Sequence, residues 1–138
     1  MTDFTYAMDA DGVVTLTWDV KHKSMNVMST EAFMDLSGMV DRALADPAAK
    51  GIIITSAKKD FAGGMDLKVI AAMRAGGAQA IFDGVMGMHH VLRKIELAGM
   101  DPKTKKGGKP IVAALPGTAL GIGLELPLAC HRIIAADN

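Results

Sequence analysis

The sequence holds a single cysteine, Cys130, in 138 residues, so no disulfide can form within the chain and a reducing cytoplasm is the plain reading. It also lacks any charge bias, with fifteen Lys and Arg against fifteen Asp and Glu. That balance leaves no overall field to gather nucleic acid or an anionic membrane. No apolar run approaches the ~20 residues of a membrane helix, because charges and glycines interrupt each one. The opening MTDFTYAMDADG is acidic and polar and does not read as a secretory signal. Internal repeats and low-complexity tracts are missing too.

What remains is globular in character: half the residues are hydrophobic and 22% are charged, one domain's worth of chain or part of a larger one. Eleven methionines read first as soft core filler. Phe4, Tyr6 and Met8, then Val14, Leu16 and Trp18, alternate with polar residues around Asp9-Ala10-Asp11-Gly12, which predicts a β-hairpin. Residues 19–28 read as a loop. Ser29 can then cap a helix with Phe33, Leu36, Val40 and Leu44 at helical spacing, ended by Asp46-Pro47. Residues 52–55 are an unbroken apolar strand, the kind covered on both faces. A helix over 65–74 follows, broken by Gly76-Gly77, and another over 78–97 with Ile81, Val85, Met88, Leu92 and Ile95 in one stripe. After a polar connector come strands over 111–115 and 133–136. The order predicts an α/β fold with largely parallel strands. The last strand has no helix after it to cover it, so the chain reads as cut before the domain is complete, with apolar edges prone to self-association.

Two strand-to-helix junctions carry the chemistry. In GTALGIGLELPLACH, residues 117–131, the one charged group before His131 is Glu125, set among Leu, Ile, Ala and Gly. A buried lone carboxylate costs several kcal/mol unless it is paired, hydrogen-bonded or protonated. Pro127 belongs in a helix's first turn, which places the helix start near residues 121–124 and leaves the N–H groups of Ile122 and Gly123 unpaired. Glu125 in that turn can serve a site or merely favour the helix dipole, and both readings stay open. In FAGGMDLKVIAAM, residues 61–73, the chain passes Gly63-Gly64 into a helix, with the Met65 N–H at the junction and Asp66 in the first turn. Ligands of open α/β sheets bind beyond the carboxyl ends of strands. Two N–H donors from these junctions aimed at one point would make an oxyanion hole, each donor worth roughly 2.7–4 kcal/mol in a transition state.

FAGGMDL and GTALGIGLELPLACH, in this order, resemble the two signature segments of the crotonase (enoyl-CoA hydratase/isomerase) superfamily. The likeness runs over essentially the whole chain and is greatest to the amino-terminal hydratase/isomerase domain of bacterial fatty-acid-oxidation α-subunits. It implies a crotonase-like ββα superhelix in which residues 1–138 form the front of one hydratase/isomerase domain, with no dehydrogenase domain in this chain. It further implies an oxyanion hole from the Met65 and Ile122 N–H groups, supported by Gly63, Gly64, Gly121 and Gly123. Glu125 matches the first catalytic glutamate, and Lys68 falls where CoA often lies. The substrate would be an acyl-CoA, with no tightly bound cofactor and no metal. NAD would matter only to a downstream dehydrogenase domain. A homo-oligomer, or a complex with a thiolase subunit, and a cytoplasmic location are implied as well. Three departures stand out. Ile122 sits where many members have glycine, Pro116 where asparagine is common, and the second catalytic glutamate would lie beyond Asn138. A chain with half the acid–base pair is expected to have little hydratase activity alone.

The other candidates are weaker. His89 and His90 lie about 100° apart on a helix and do not face one ligand. His22 and His131 have no evident partner. Lys103, Lys105, Lys106 and Lys109 read as a solvated basic loop, and Gly108-Lys109-Pro110 is not a phosphate-binding loop. Cys130 reads as inert packing.

Overall fold

Asp9 organises the first chain reversal in the computed structural model, which describes residues 2–137. Its Oδ1 accepts the N–H groups of Asp11 and Val13, both at 2.9 Å, and Gly12 takes φ +82°. A Cβ on Gly12 would stand 2.3 Å from the Ala48 carbonyl oxygen, so conformation and close approach both require glycine. The flanking strands β1 (Phe4–Met8) and β2 (Val13–Trp18) pair antiparallel as the expected hairpin.

Helix α1 (Thr30–Ala45) starts where Ser29 Oγ accepts the Ala32 N–H at 3.0 Å and ends at Asp46. Its buried stripe is Ala32, Phe33, Leu36, Val40 and Ala43, with the expected Leu44 half-buried beside it. Strands β3 (Gly51–Ser56), β4 (Ile111–Leu115) and β5 (Arg132–Ala135) then add to β2 in chain order, all parallel, giving the sheet β1-β2-β3-β4-β5. Register aligns Val14 with Ile52 and Ile111, and Leu16 with Ile54 and Ala113, and all six are buried. The expectation of cover on both faces fails: Ile53, Val112 and Ala114 on the opposite face are only half-buried. The reason is that the helices share one core cluster on the Ile52–Ile54 side. All four residues of β5, at the sheet edge, are exposed.

Between β3 and β4 run α2 (Leu67–Ala75) and α3 (Gly77–Leu97), separated by Gly76, which caps both, with Gly77 at φ +83° opening α3. α2 begins two residues later than expected because Asp66 is its N-cap, Oδ1 accepting the Lys68 N–H at 2.9 Å, and not a first-turn residue. The apolar stripe expected along α3 is only partly packed. Ile95 is buried and Met88 and Leu92 are half-buried, but Ile81 is exposed, because only the carboxyl-terminal half of α3 reaches the core.

Helix α4 (Ile122–Ala129) starts where expected, yet Pro127 is its sixth residue, past the first turn. The helix ends two residues later, with the Cys130 N–H returning to the Pro127 carbonyl at 3.0 Å.

Candidate active site

Two loops past the carboxyl ends of β3 and β4 run side by side. The Ala62 N–H donates to the Thr118 carbonyl at 3.1 Å, and the Leu120 N–H donates back to the Ala62 carbonyl at 3.0 Å. Asp60 Oδ1 accepts the Thr118 N–H at 2.9 Å, and the Thr118 backbone and side chain together hold the Asp60 carboxyl below its ordinary range. Phe61 anchors the first loop, fully buried edge-on against Trp18 at 5.8 Å between ring centroids. A third segment locks in from the β2–α1 connection. Gly63 N–H donates to the Asn26 carbonyl at 2.8 Å, Met28 N–H to Gly64 at 2.8 Å, and Asp66 N–H to Met28 at 2.9 Å.

These ladders leave two N–H groups of interest. Among the described residues, neither the Met65 nor the Ile122 N–H makes a hydrogen bond. Each follows a glycine with positive φ, Gly64 at +110° and Gly121 at +56°, and a Cβ on Gly121 would lie 3.6 Å from the Gly64 Cα. The donors therefore leave two backbones that touch. The positive φ falls on Gly121, so Ile122 keeps helical backbone with its side chain buried. The Gly123 N–H, expected to be unpaired as well, instead donates to the Leu120 carbonyl at 2.9 Å. Gly123 matters for another reason: its Cβ would stand 2.6 Å from that of Ala62, so only glycine lets α4 pack this close to the first loop. Gly63 is held similarly by Met25, whose Sδ would lie 2.7 Å from an added Cβ.

An apolar cavity of about 260 Å³ opens beside Met65, walled by α1, α2 and α3 through residues such as Phe33, Val69 and Val91. Five of the methionines line it, Met28, Met34, Met65, Met73 and Met88, and of these Met28 is also fully buried core filler, as expected. Met65 thus carries an unpaired amide and a cavity-lining side chain on one residue.

Glu125 is in the first turn of α4, as expected, but it is exposed, and its carboxylate has no hydrogen bond or ion pair among the described residues. The desolvation premise is corrected: α4 buries Ile122, Gly123, Leu126 and Pro127, so the intervening Leu124 and Glu125 face outward. Lys68 lies exposed in the first turn of α2 with no ion pair among the described residues. The carboxylate of Asp66 next to it lies 3.8 Å from Lys23 Nζ.

Residues 9–138 match the enoyl-CoA hydratase/isomerase family. The chain belongs to that family. It is 33% identical over 137 residues to the fatty acid oxidation complex subunit alpha of Shewanella oneidensis, an alignment that takes in 98% of this chain and 18% of that protein's length. An enoyl-CoA hydratase/isomerase structure from Xanthobacter autotrophicus Py2 superposes with a TM-score of 0.78 at 27% identity, over 97% of this chain and 46% of that one. A Legionella pneumophila structure assigned to the crotonases gives a TM-score of 0.83 at 23% identity over 98% and 48%, a likeness of fold. The chain therefore spans about a fifth of the oxidation-complex subunit and about half of these structures.

Within the hydratase/isomerase fold, sequence reasoning missed the residue that ties the site together. Asn26, read as part of a loop, is fully buried. Its Oδ1 accepts the Val20 N–H at 2.9 Å, while Nδ2 lies 3.1 Å from the Trp18 carbonyl, 3.0 Å from the Phe61 carbonyl and 2.9 Å from Ser56 Oγ. A lone Asn between Met25 and Val27 was the available signal.

Two other readings are corrected. His131 has partners on both ring nitrogens: Nδ1 accepts the Ile111 N–H at 2.9 Å, which leaves Nε2–H to donate to the Glu96 carbonyl at 2.9 Å. Lys109 is no solvated loop cation, since its ammonium donates to the Ala43 and Asp46 carbonyls at the end of α1, where the helix dipole favours it. No metal-binding cluster occurs among the described residues. Burial pushes the Cys130 thiol up to about 12, in keeping with inert packing.

Proposed function

We propose that this chain supplies the oxyanion-hole half of an enoyl-CoA hydratase site of fatty acid β-oxidation, in the front part of a multifunctional polypeptide. The supporting observation is the pair of unpaired N–H groups at Met65 and Ile122, leaving backbones in contact beside an apolar cavity that Met65 also lines. The thioester carbonyl of a trans-2-enoyl-CoA would accept both donors. As water adds at C3, negative charge moves onto that oxygen, and the two hydrogen bonds strengthen with it, each worth roughly 2.7–4 kcal/mol. The water's hydroxyl bonds to C3 and a proton is delivered to C2, giving a 3-hydroxyacyl-CoA with all atoms accounted for. Glu125, three residues past Ile122, is the catalytic carboxylate on this side, working with a second glutamate from beyond residue 138.

Lys68 meets the CoA portion in this reading, and CoA comes only as part of the substrate. NAD belongs to a dehydrogenase domain farther along the polypeptide, with a thiolase subunit as partner in the cytoplasm.

One glutamate beside the α4 turn supports a second reading. Moving a proton from C2 to C4 of a 3-enoyl-CoA needs only one base, so the site would isomerise and add no water.

Glu125→Gln, made in the polypeptide as the cell produces it, tests both. Crotonyl-CoA hydration is expected to collapse while acyl-CoA affinity is kept. Loss of 3-enoyl-CoA isomerisation with hydration unchanged would favour the second reading. Normal turnover in both assays would remove Glu125 from catalysis, and tight acyl-CoA binding without turnover in the wild type would make this a binding module.

A further inference from the structure

The α3 wall of the cavity is built with a gap. Gly84, Gly87, Met88 and Val91 lie at helical i, i+3, i+4 and i+7 positions and all line the cavity, spanning about 10 Å of helix. Glycine inside a helix is destabilising relative to alanine, so each one calls for a reason. At Gly84 the reason is contact: an added Cβ would lie 2.4 Å from Met73 Sδ and 3.4 Å from its Cγ. Gly84 is the seat on which the flexible Met73 side chain rests. At Gly87 contact gives no reason. Its φ is not positive, and an added Cβ would meet nothing within 4 Å. The helix accepts the cost of glycine there and leaves the space open.

We propose that Gly87 and the Gly84–Met73 pair set the acyl-chain length of the substrate: Gly87 leaves its side-chain volume to the chain, and Met73 on Gly84 forms a yielding wall. This rests on the reading of the cavity as the acyl site, which Met65 lines. An apolar cavity of about 150 Å³ holds one benzene, six carbons. By proportion, the part of the site that this chain walls, about 260 Å³, has room for on the order of ten carbons. Each buried methylene tightens binding roughly fourfold, and carbons beyond the cavity add little.

The test is the dissociation constant of saturated acyl-CoAs from four to sixteen carbons, by calorimetry on the polypeptide as the cell makes it. In the wild type, affinity should climb with length and level off near ten carbons. Gly87→Leu should leave butyryl-CoA within twofold and weaken decanoyl-CoA at least tenfold. Gly87→Ala, which favours the helix, should show a smaller loss of the same kind. Met73→Ala should move the plateau to longer chains, a gain that misfolding cannot produce. Gly38→Leu, also open to solvent on α1 but away from the cavity, should change nothing. If wild-type affinity climbs with length but the Gly87 and Met73 variants keep the wild-type profile, or weaken all lengths equally, the length assignment is wrong and the acyl site stands. If the wild type binds no acyl-CoA of any length, the proposed function itself fails and takes this inference with it.

Discussion

Gly64 and Gly121 meet backbone to backbone. A Cβ added to Gly121 would lie 3.6 Å from the Gly64 Cα, and both residues hold positive φ, at +110° and +56°. They come from loops 57 residues apart in the chain, and each directly precedes an amide that makes no hydrogen bond among the described residues. The contact holds the two loops together, and its consequences can be measured.

Gly121→Ala puts a side chain where φ is +56°. It should cost about 1 kcal/mol or more in stability, because alanine strains at that conformation. If Ile122 N–H serves as an oxyanion donor, turnover should fall about 10²–10³-fold as well. Urea midpoints and kcat on a short enoyl-CoA would check both. A variant as stable and as active as the wild type would show that the positive φ has no bearing on the site.

Gly123→Ala forces its new Cβ to within 2.6 Å of Ala62 Cβ and 3.1 Å of the Ala62 carbonyl. Overpacking of this kind costs about 1–3 kcal/mol. Adding Ala62→Gly removes one of the colliding methyls, so the double variant should recover much of the loss. A double-mutant cycle with no coupling would mean that α4 and the first loop do not depend on this contact.

Asn26→Leu removes the acceptor of the Val20 N–H and the donor to the Trp18 and Phe61 carbonyls, all in buried surroundings. Each orphaned group costs about 1–3 kcal/mol, so the loss should reach about 3 kcal/mol or more. Because the Asn26 main-chain carbonyl also accepts the Gly63 N–H, a smaller change such as Asn26→Ser, which loosens this segment without burying a charge, should weaken acyl-CoA binding more than its stability alone explains. Denaturation midpoints compared with dissociation constants would separate the two effects.

Acid should loosen the paired loops. Hydrogen bonds from Thr118 hold the folded Asp60 carboxyl below its unfolded value, so the folded state binds fewer protons. The stabilisation is complete above the ordinary carboxylate range and is lost as pH falls through that range toward the lowered value. Asp19, Glu96 and Asp101 are lowered as well and add to the same acid-side slope. Asp60→Asn should flatten the dependence of stability on pH from about pH 5 downward. An unchanged slope would mean that the Asp60–Thr118 contact does not persist in solution.

Much of this protein is written locally. The hairpin follows from period-two alternation around an Asp-Gly turn, α1 from a serine cap and a helical stripe closed by Asp-Pro, and the parallel order from alternating apolar strands and helices. Those features depend on neighbours in the chain, so spacing alone carries them. The glycine-flanked junctions at Met65 and Ile122 were legible for the same reason. Contact between them was not, because nothing local tells two loops 57 residues apart that Ala62 will pair with Ala119 or that Gly123 must clear Ala62. Burial was misread wherever it depended on layers: Glu125 is exposed since α4 buries only one side, and Ile81 is exposed since α3 reaches the core only with its end. Asn26 and His131 show the same limit from the other direction. Most of their partners are main-chain groups on other strands, loops and helices, and only tertiary packing brings an amide or an imidazole to them.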